Sequence, residues 1–115
     1  TADGGRTTST QLGFGLAIDG DRLVAGAYNH GYDLSYANYL SSAGAAYVFV
    51  RPSGTWQQEQ KLIGRGTNGR VVNSSLGYSV DISGYSVVAG AILYLYDTSD
   101  GNSSVNKGAV WVYYP

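Results

Sequence analysis

Cysteine is absent from all 115 residues, so neither a disulfide framework nor the common thiolate metal sites are open to this chain. That absence fits an oxidising exterior and a reducing cytosol equally well. Proline occurs twice, and Lys and Glu are thin against 17 glycines and 11 tyrosines. This is the usage of a turn-rich all-β protein, with helix close to absent. Basic clusters are missing and the formal net charge is −1, which removes the electrostatic footprint that binding nucleic acid or an anionic membrane requires. There is no apolar run of about 18 residues, so membrane insertion through a helix is not expected either. A single histidine, His30, limits imidazole chemistry to one place.

What is present is a repeat. Leu12-Gly13-Phe14 returns as Leu76-Gly77-Tyr78, Ala25-Gly26-Ala27 as Ala89-Gly90-Ala91, and Gly44-Ala45-Ala46-Tyr47-Val48 as Gly108-Ala109-Val110-Trp111-Val112. The displacement is 64 residues each time, without an insertion, and 15 of 40 positions are identical between 12–51 and 76–115. Fixed spacing across separate blocks means that each copy is one supersecondary unit in an array. Two such units are too few for a full ring or solenoid, so one domain, or part of a larger one, is expected.

Within the first copy, residues 12–18 and 22–27 flank Asp19-Gly20-Asp21, whose Asp-Gly pair suits a tight hairpin. A long loop, 28–43, leads to a third strand over 44–50, and Arg51-Pro52-Ser53-Gly54 turns the chain into a fourth over 55–62. Trp56, Gln58 and Gln60 alternate there with Gln57, Glu59 and Lys61, the polarity of a solvent-facing outer strand. The second copy repeats three strands, 76–82, 86–91 and 108–114. The expected organisation is a linker or N-terminal extension at 1–11, a four-stranded unit at 12–64, a linker at 65–75, and a unit lacking its outer strand at 76–115.

Two physical consequences follow. The strand at 108–114 is left with an unpaired row of backbone donors and acceptors on a flat, aromatic, nearly uncharged segment. Residues 23–25 and 46–50 are apolar at consecutive positions, so both faces of their sheet are expected to be buried. Two stacked sheets cover one face each, which calls for further copies of the unit.

The string LGFGLAIDGDRLVAGA, followed by a loop and AGAAYVFVRPSGTWQQEQKL, resembles the FG-GAP repeat family of integrin-α-like β-propeller blades. The resemblance covers nearly all of 12–62 and 76–115. It implies two four-stranded blades in tandem, the first strand of each innermost, from rings that usually hold about seven. The integrin-type calcium loop between the first two strands is not carried over, because that place holds only Asp19-Gly20-Asp21 and Ser83-Gly84-Tyr85.

The longer loops carry the candidate sites. Asp33, Ser35 and Asn38 return as Asp97, Ser99 and Asn102, an oxygen-rich trio joined by Asp100, and these residues either ligate a hard cation such as calcium or form turns. Tyr28, Tyr32, Tyr36 and Tyr39 in the first loop, with Tyr94 and Tyr96 in the second, either present a stacking surface for sugars or proteins or pack against the neighbouring unit. Asn73-Ser74-Ser75 and Asn102-Ser103-Ser104 are acceptor triplets for N-glycosylation, at Asn73 and Asn102.

Catalysis is not expected. His30 becomes Tyr94 in the second copy, and Ser35, His30 and Asp33 carry no elbow or oxyanion-hole signature. Gly13-Phe14-Gly15 lacks the helix that a phosphate loop requires and reads as a close-packing site between units. The expected function is a non-catalytic extracellular or cell-surface structural or adhesive module, with no required cofactor. It assembles through open edges with itself or with further repeats of a larger chain. The alternative is a carbohydrate-binding lectin that uses the tyrosine loops, with calcium as its candidate ion.

Overall fold

The computed structural model describes residues 11–31, 40–64, 74–92 and 108–113. These form seven strands and no helix: β1 (Leu16–Asp19), β2 (Arg22–Ala27), β3 (Ala45–Val50), β4 (Gln57–Leu62), β5 (Leu76–Ser83), β6 (Ser86–Ala91) and β7 (Ala109–Tyr113). Two antiparallel meanders result, a four-stranded sheet in the order β1-β2-β3-β4 and a three-stranded sheet in the order β5-β6-β7. The all-β expectation and the division into one sheet per repeat hold.

Both first hairpins turn on a two-residue loop. Asp19 pairs with Arg22 and Ser83 with Ser86, which leaves Gly20-Asp21 and Gly84-Tyr85 as the loops. Gly20 and Gly84 sit at φ of 59° and 57°, the left-handed region that glycine enters without strain. The working pair is therefore Gly-Asp, with Asp19 inside the strand, rather than the Asp-Gly read from the sequence.

The Leu-Gly-aromatic block opens each repeat with a kink. Gly13 and Gly77 lie at φ of 94° and 92°. In the first repeat this keeps residues 12–15 out of the regular ladder, so β1 begins at Leu16 instead of residue 12. In the second repeat β5 starts at Leu76, but its register with β6 shifts between Leu76 and Ser79. The backbone of 42–44 runs beside 74–76: Ser75 N donates to Ser42 O at 2.9 Å, Leu76 N to Ala43 O at 3.3 Å, and Ser74 Oγ to Ala43 O at 3.0 Å. Ser74 and Ser75 are buried, so the end of the stretch expected as a linker is packed structure.

Because paired strands place opposite residues on one face, the register sorts the side chains. In the first sheet one face, called the front, carries Leu16, Ile18, Leu23, Ala25, Ala27, Ala45, Tyr47 and Phe49. The back carries Ala17, Val24, Gly26, Ala46, Val48 and Leu62. In the second sheet Val80, Ile82, Val87, Ala89, Ala91, Ala109, Trp111 and Tyr113 form the front, and Ser79, Asp81, Val88, Gly90, Val110 and Val112 the back. The main core joins the back of the first sheet to the front of the second, through Val24, Ala46, Val48 and Leu62 against Leu76, Ile82, Val87, Ala89 and Tyr113. Each Val, Leu or Ile side chain among them removed from water contributes roughly 1.5–3 kcal/mol. A smaller cluster on the front of the first sheet gathers Ala27, Ala45 and Tyr47 under Leu12, Phe49 and Ile63. The two-sided burial expected of residues 23–25 and 46–50 is thus met at Val24, Ala25 and Ala46–Val48, while Leu23, Phe49 and Val50 are half-buried.

The fourth strand departs from the expected solvent-facing pattern at its C-terminal end. Gln57, Glu59 and Gln60 are exposed, but Lys61 and Leu62 are buried. A bulge between Val48 and Phe49 shifts the register, and Lys61 then pairs with Tyr47 on the front face, beside His30.

Candidate functional site

Glycine sets how closely the sheets approach. A Cβ on Gly26 would run into the Gly77 carbonyl, and one on Gly77 into the Ala45 carbonyl. A Cβ on Gly15 would lie 3.2 Å from the Tyr78 carbonyl oxygen and 3.4 Å from Val80 Cγ2. The close-packing role expected for the Gly13-Phe14-Gly15 block thus belongs to Gly15, while Gly13 is held to glycine by its φ alone, with nothing within 4 Å of the added carbon.

At the hairpin end the contact is polar. Arg22 Nε donates to Gly84 O at 3.0 Å, Gly84 N donates to Asp19 Oδ2 at 2.7 Å, and Arg22 Nη1 pairs with Glu59 Oε1 at 2.7 Å. The Arg22 guanidinium lies 4.7 Å from the centre of the Tyr85 ring. A cleft of about 240 Å³ opens here between the sheets, bordered by Arg22, Glu59, Leu62, Tyr85 and Tyr113. Tyr113 crosses the gap by donating its hydroxyl to Ile63 O at 2.6 Å.

Tyr28 is the one member of the expected tyrosine surface among the described residues. Its half-buried ring meets Phe14 at 5.0 Å and 66° and Tyr78 at 5.1 Å and 65°, and Phe14 and Tyr78 lie 4.9 Å apart. These edge-on contacts suit the aromatic quadrupole and join the two sheets. Tyr32, Tyr36, Tyr39, Tyr94 and Tyr96 lie outside the described residues, as do Asp33, Ser35, Asn38, Asp97, Ser99, Asp100 and Asn102 of the oxygen-rich loops, and Asn73 of the first acceptor triplet.

His30 is fully buried, its ring edge-on to Tyr47 at 6.0 Å between centroids. Lys61 Nζ stands 2.8 Å from His30 Nε2 and 5.8 Å from the centre of the Tyr47 ring. Which nitrogen donates in that pair is set by the imidazole tautomer.

A different group of residues, outside the candidate loops, lies open to water. Phe14, Leu16 and Ile18 are exposed at 55%, 65% and 64%, and Val110 and Val112 at 70% and 47%. The first three lie at or beside β1, with Leu16 and Ile18 on the front of the first sheet, and the last two on the back of the second. Period-two alternation combined with the 64-residue offset carried the signal, because the residues that match them, Val80, Ile82, Ala46 and Val48, all belong to or pack on the main core. Comparison with protein-family models and with curated proteins found no match.

Proposed function

We propose that this chain is a non-catalytic structural or adhesive module of propeller-blade type, working outside the cell or at its surface, that assembles with further copies of itself. The observation that carries this reading is the pair of open apolar faces: Leu16 and Ile18 stand exposed on the front of the first sheet, and Val110 and Val112 on the back of the second. Apolar sheet faces left to water are surfaces for joining another chain. Head-to-tail joining closes into a ring where the rotation between units permits and otherwise extends as a filament.

Light scattering followed by electron microscopy of the unconcentrated protein tests this. Rings or filaments built from several chains are the expected result. A single species of monomer mass across a hundredfold dilution series would falsify the assembly reading.

A further inference from the structure

The two outward-facing apolar surfaces are matched to each other. Inside the chain, the back of the first sheet receives the front of the second, with β5 the strand that seats across β1, β2 and β3. Moving each side of that contact by one repeat gives the back of the second sheet and the front of β1. Apolar side chains lie open on both: Val110 and Val112 on one, Leu16 and Ile18 on the other, with Phe14 and Tyr78 beside them.

Glycine gives an independent indication. Gly26 is required because the Gly77 carbonyl occupies the space of its Cβ. Among the described residues Gly90, its equivalent, meets the Ser79 hydroxyl at 2.8 Å, a movable side-chain atom, with the nearest backbone atom at 3.8 Å. Gly90 also has no positive φ. A glycine that none of the described residues demands lies on the open back face at the position where the intrachain contact brings a backbone closest.

We propose that a second copy of this chain seats its β1 strand on the back of the β5-β6-β7 sheet, repeating between molecules the contact that β5 makes within one. The inference rests on the self-assembling reading above and specifies its surfaces. It joins sheet faces rather than strand edges. The intermolecular contact is weaker than its intrachain model for two reasons. Asp81 stands where the first repeat has Ala17, so seating β1 removes water from a carboxylate. Ser83 and Ser86 replace Asp19 and Arg22, the two groups that hold the Gly84 turn, and face the partner's Gly20 turn with uncharged hydroxyls.

The absence of native cysteine makes crosslinking decisive. The approach of Gly15 to Val80 becomes, one repeat on, an approach of Ser79 to Leu16 of the other molecule, within reach of a disulfide. Two single variants, Leu16→Cys and Ser79→Cys, one of them tagged, are mixed and oxidised. The expected product is the mixed disulfide, at least about tenfold over either symmetric dimer. In parallel, Leu16→Asp and Val110→Asp, each at an exposed site, are expected to leave the circular dichroism spectrum unchanged and to weaken self-association by about tenfold or more. Multimers that persist in both aspartate variants, with disulfides in merely statistical proportion, overturn the face docking and leave assembly through another surface standing. A parent protein that stays monomeric at every concentration overturns both.

Discussion

Val80 and Leu16 occupy the same place in the repeat, as do Ile82 and Ile18, yet the first of each pair packs on the core and the second faces water. The reverse holds on the other side of the sheets: Ala46 and Val48 are buried, and their equivalents Val110 and Val112 are open. Each repeat therefore encodes two different contact faces, and in one chain each sheet packs one of them on the other sheet. Burial here is a property of position in the array more than of sequence. The same alternating pattern writes a core residue in one copy and a surface residue in the other.

The largest expected effect separates crowding from backbone geometry. Gly13 and Gly77 share a φ near 93°, but only Gly77 has the Ala45 carbonyl in the way of a side chain. Gly13→Ala carries the conformational penalty alone, about 1 kcal/mol. Gly77→Ala adds a clash between backbones that cannot relax, and is expected to cost about 3 kcal/mol or more. Urea unfolding of the two variants checks this, and equal losses at both sites would show that the sheets do not approach as closely as described.

Next in size is an exchange between the repeats at Ala17 and Asp81. Ala17 packs against the main core from the back of the first sheet. Ala17→Asp puts a carboxylate into that contact and is expected to lower stability by about 2 kcal/mol, read from the denaturation midpoint. Asp81→Ala gives the open face the residue that the first repeat uses. The monomer is expected to change by less than about 0.5 kcal/mol, since Asp81 is exposed and its described contact is with the adjacent Ile82 N, while self-association strengthens in sedimentation. Unchanged association in Asp81→Ala would place that face outside the contact.

How much of this was legible in the sequence depended on the range of the forces involved. Strands β2 and β6 were readable to the residue, because short apolar runs that follow a glycine turn are local signals. The start of β1 was not, because Leu12 and Gly13 have strand-like composition and the kink at Gly13 is a backbone choice that composition does not reveal. Lys61 read as solvent-facing, yet it is buried, since its surroundings are His30 and Tyr47, 31 and 14 positions away. Gly26 and Gly90 are identical in sequence context and differ only in what stands opposite them. That an apolar face would lack its cover was legible in the consecutive apolar residues at 23–25 and 46–50, but its place at Leu16, Ile18, Val110 and Val112 was not, because a list of hydrophobic residues does not say which neighbour is lacking.

The smallest effect compares two arginines that each hold a hairpin turn. Arg22, with its side chain 14% exposed, pairs with Glu59, donates to the Gly84 carbonyl and so ties the second repeat to the first. Arg51, 41% exposed, pairs at 2.8 Å with Asp21, itself 69% exposed, and lies 4.9 Å from the Trp56 ring centre. Arg51→Ala loses a solvated pair whose backbone tie, Arg51 N to Asp21 O, survives the substitution, so a loss of about 0.5 kcal/mol is expected. Arg22→Ala also strips a donor from the carbonyl of the Gly84 turn in the second sheet, and about 1 kcal/mol is expected. Salt tells the two apart, because screening acts on exposed charges first. At about 1 M sodium chloride the Arg51→Ala difference is expected to vanish from the thermal melting curve, while most of the Arg22→Ala difference remains, since a hydrogen bond to a carbonyl at the sheet junction does not depend on long-range attraction.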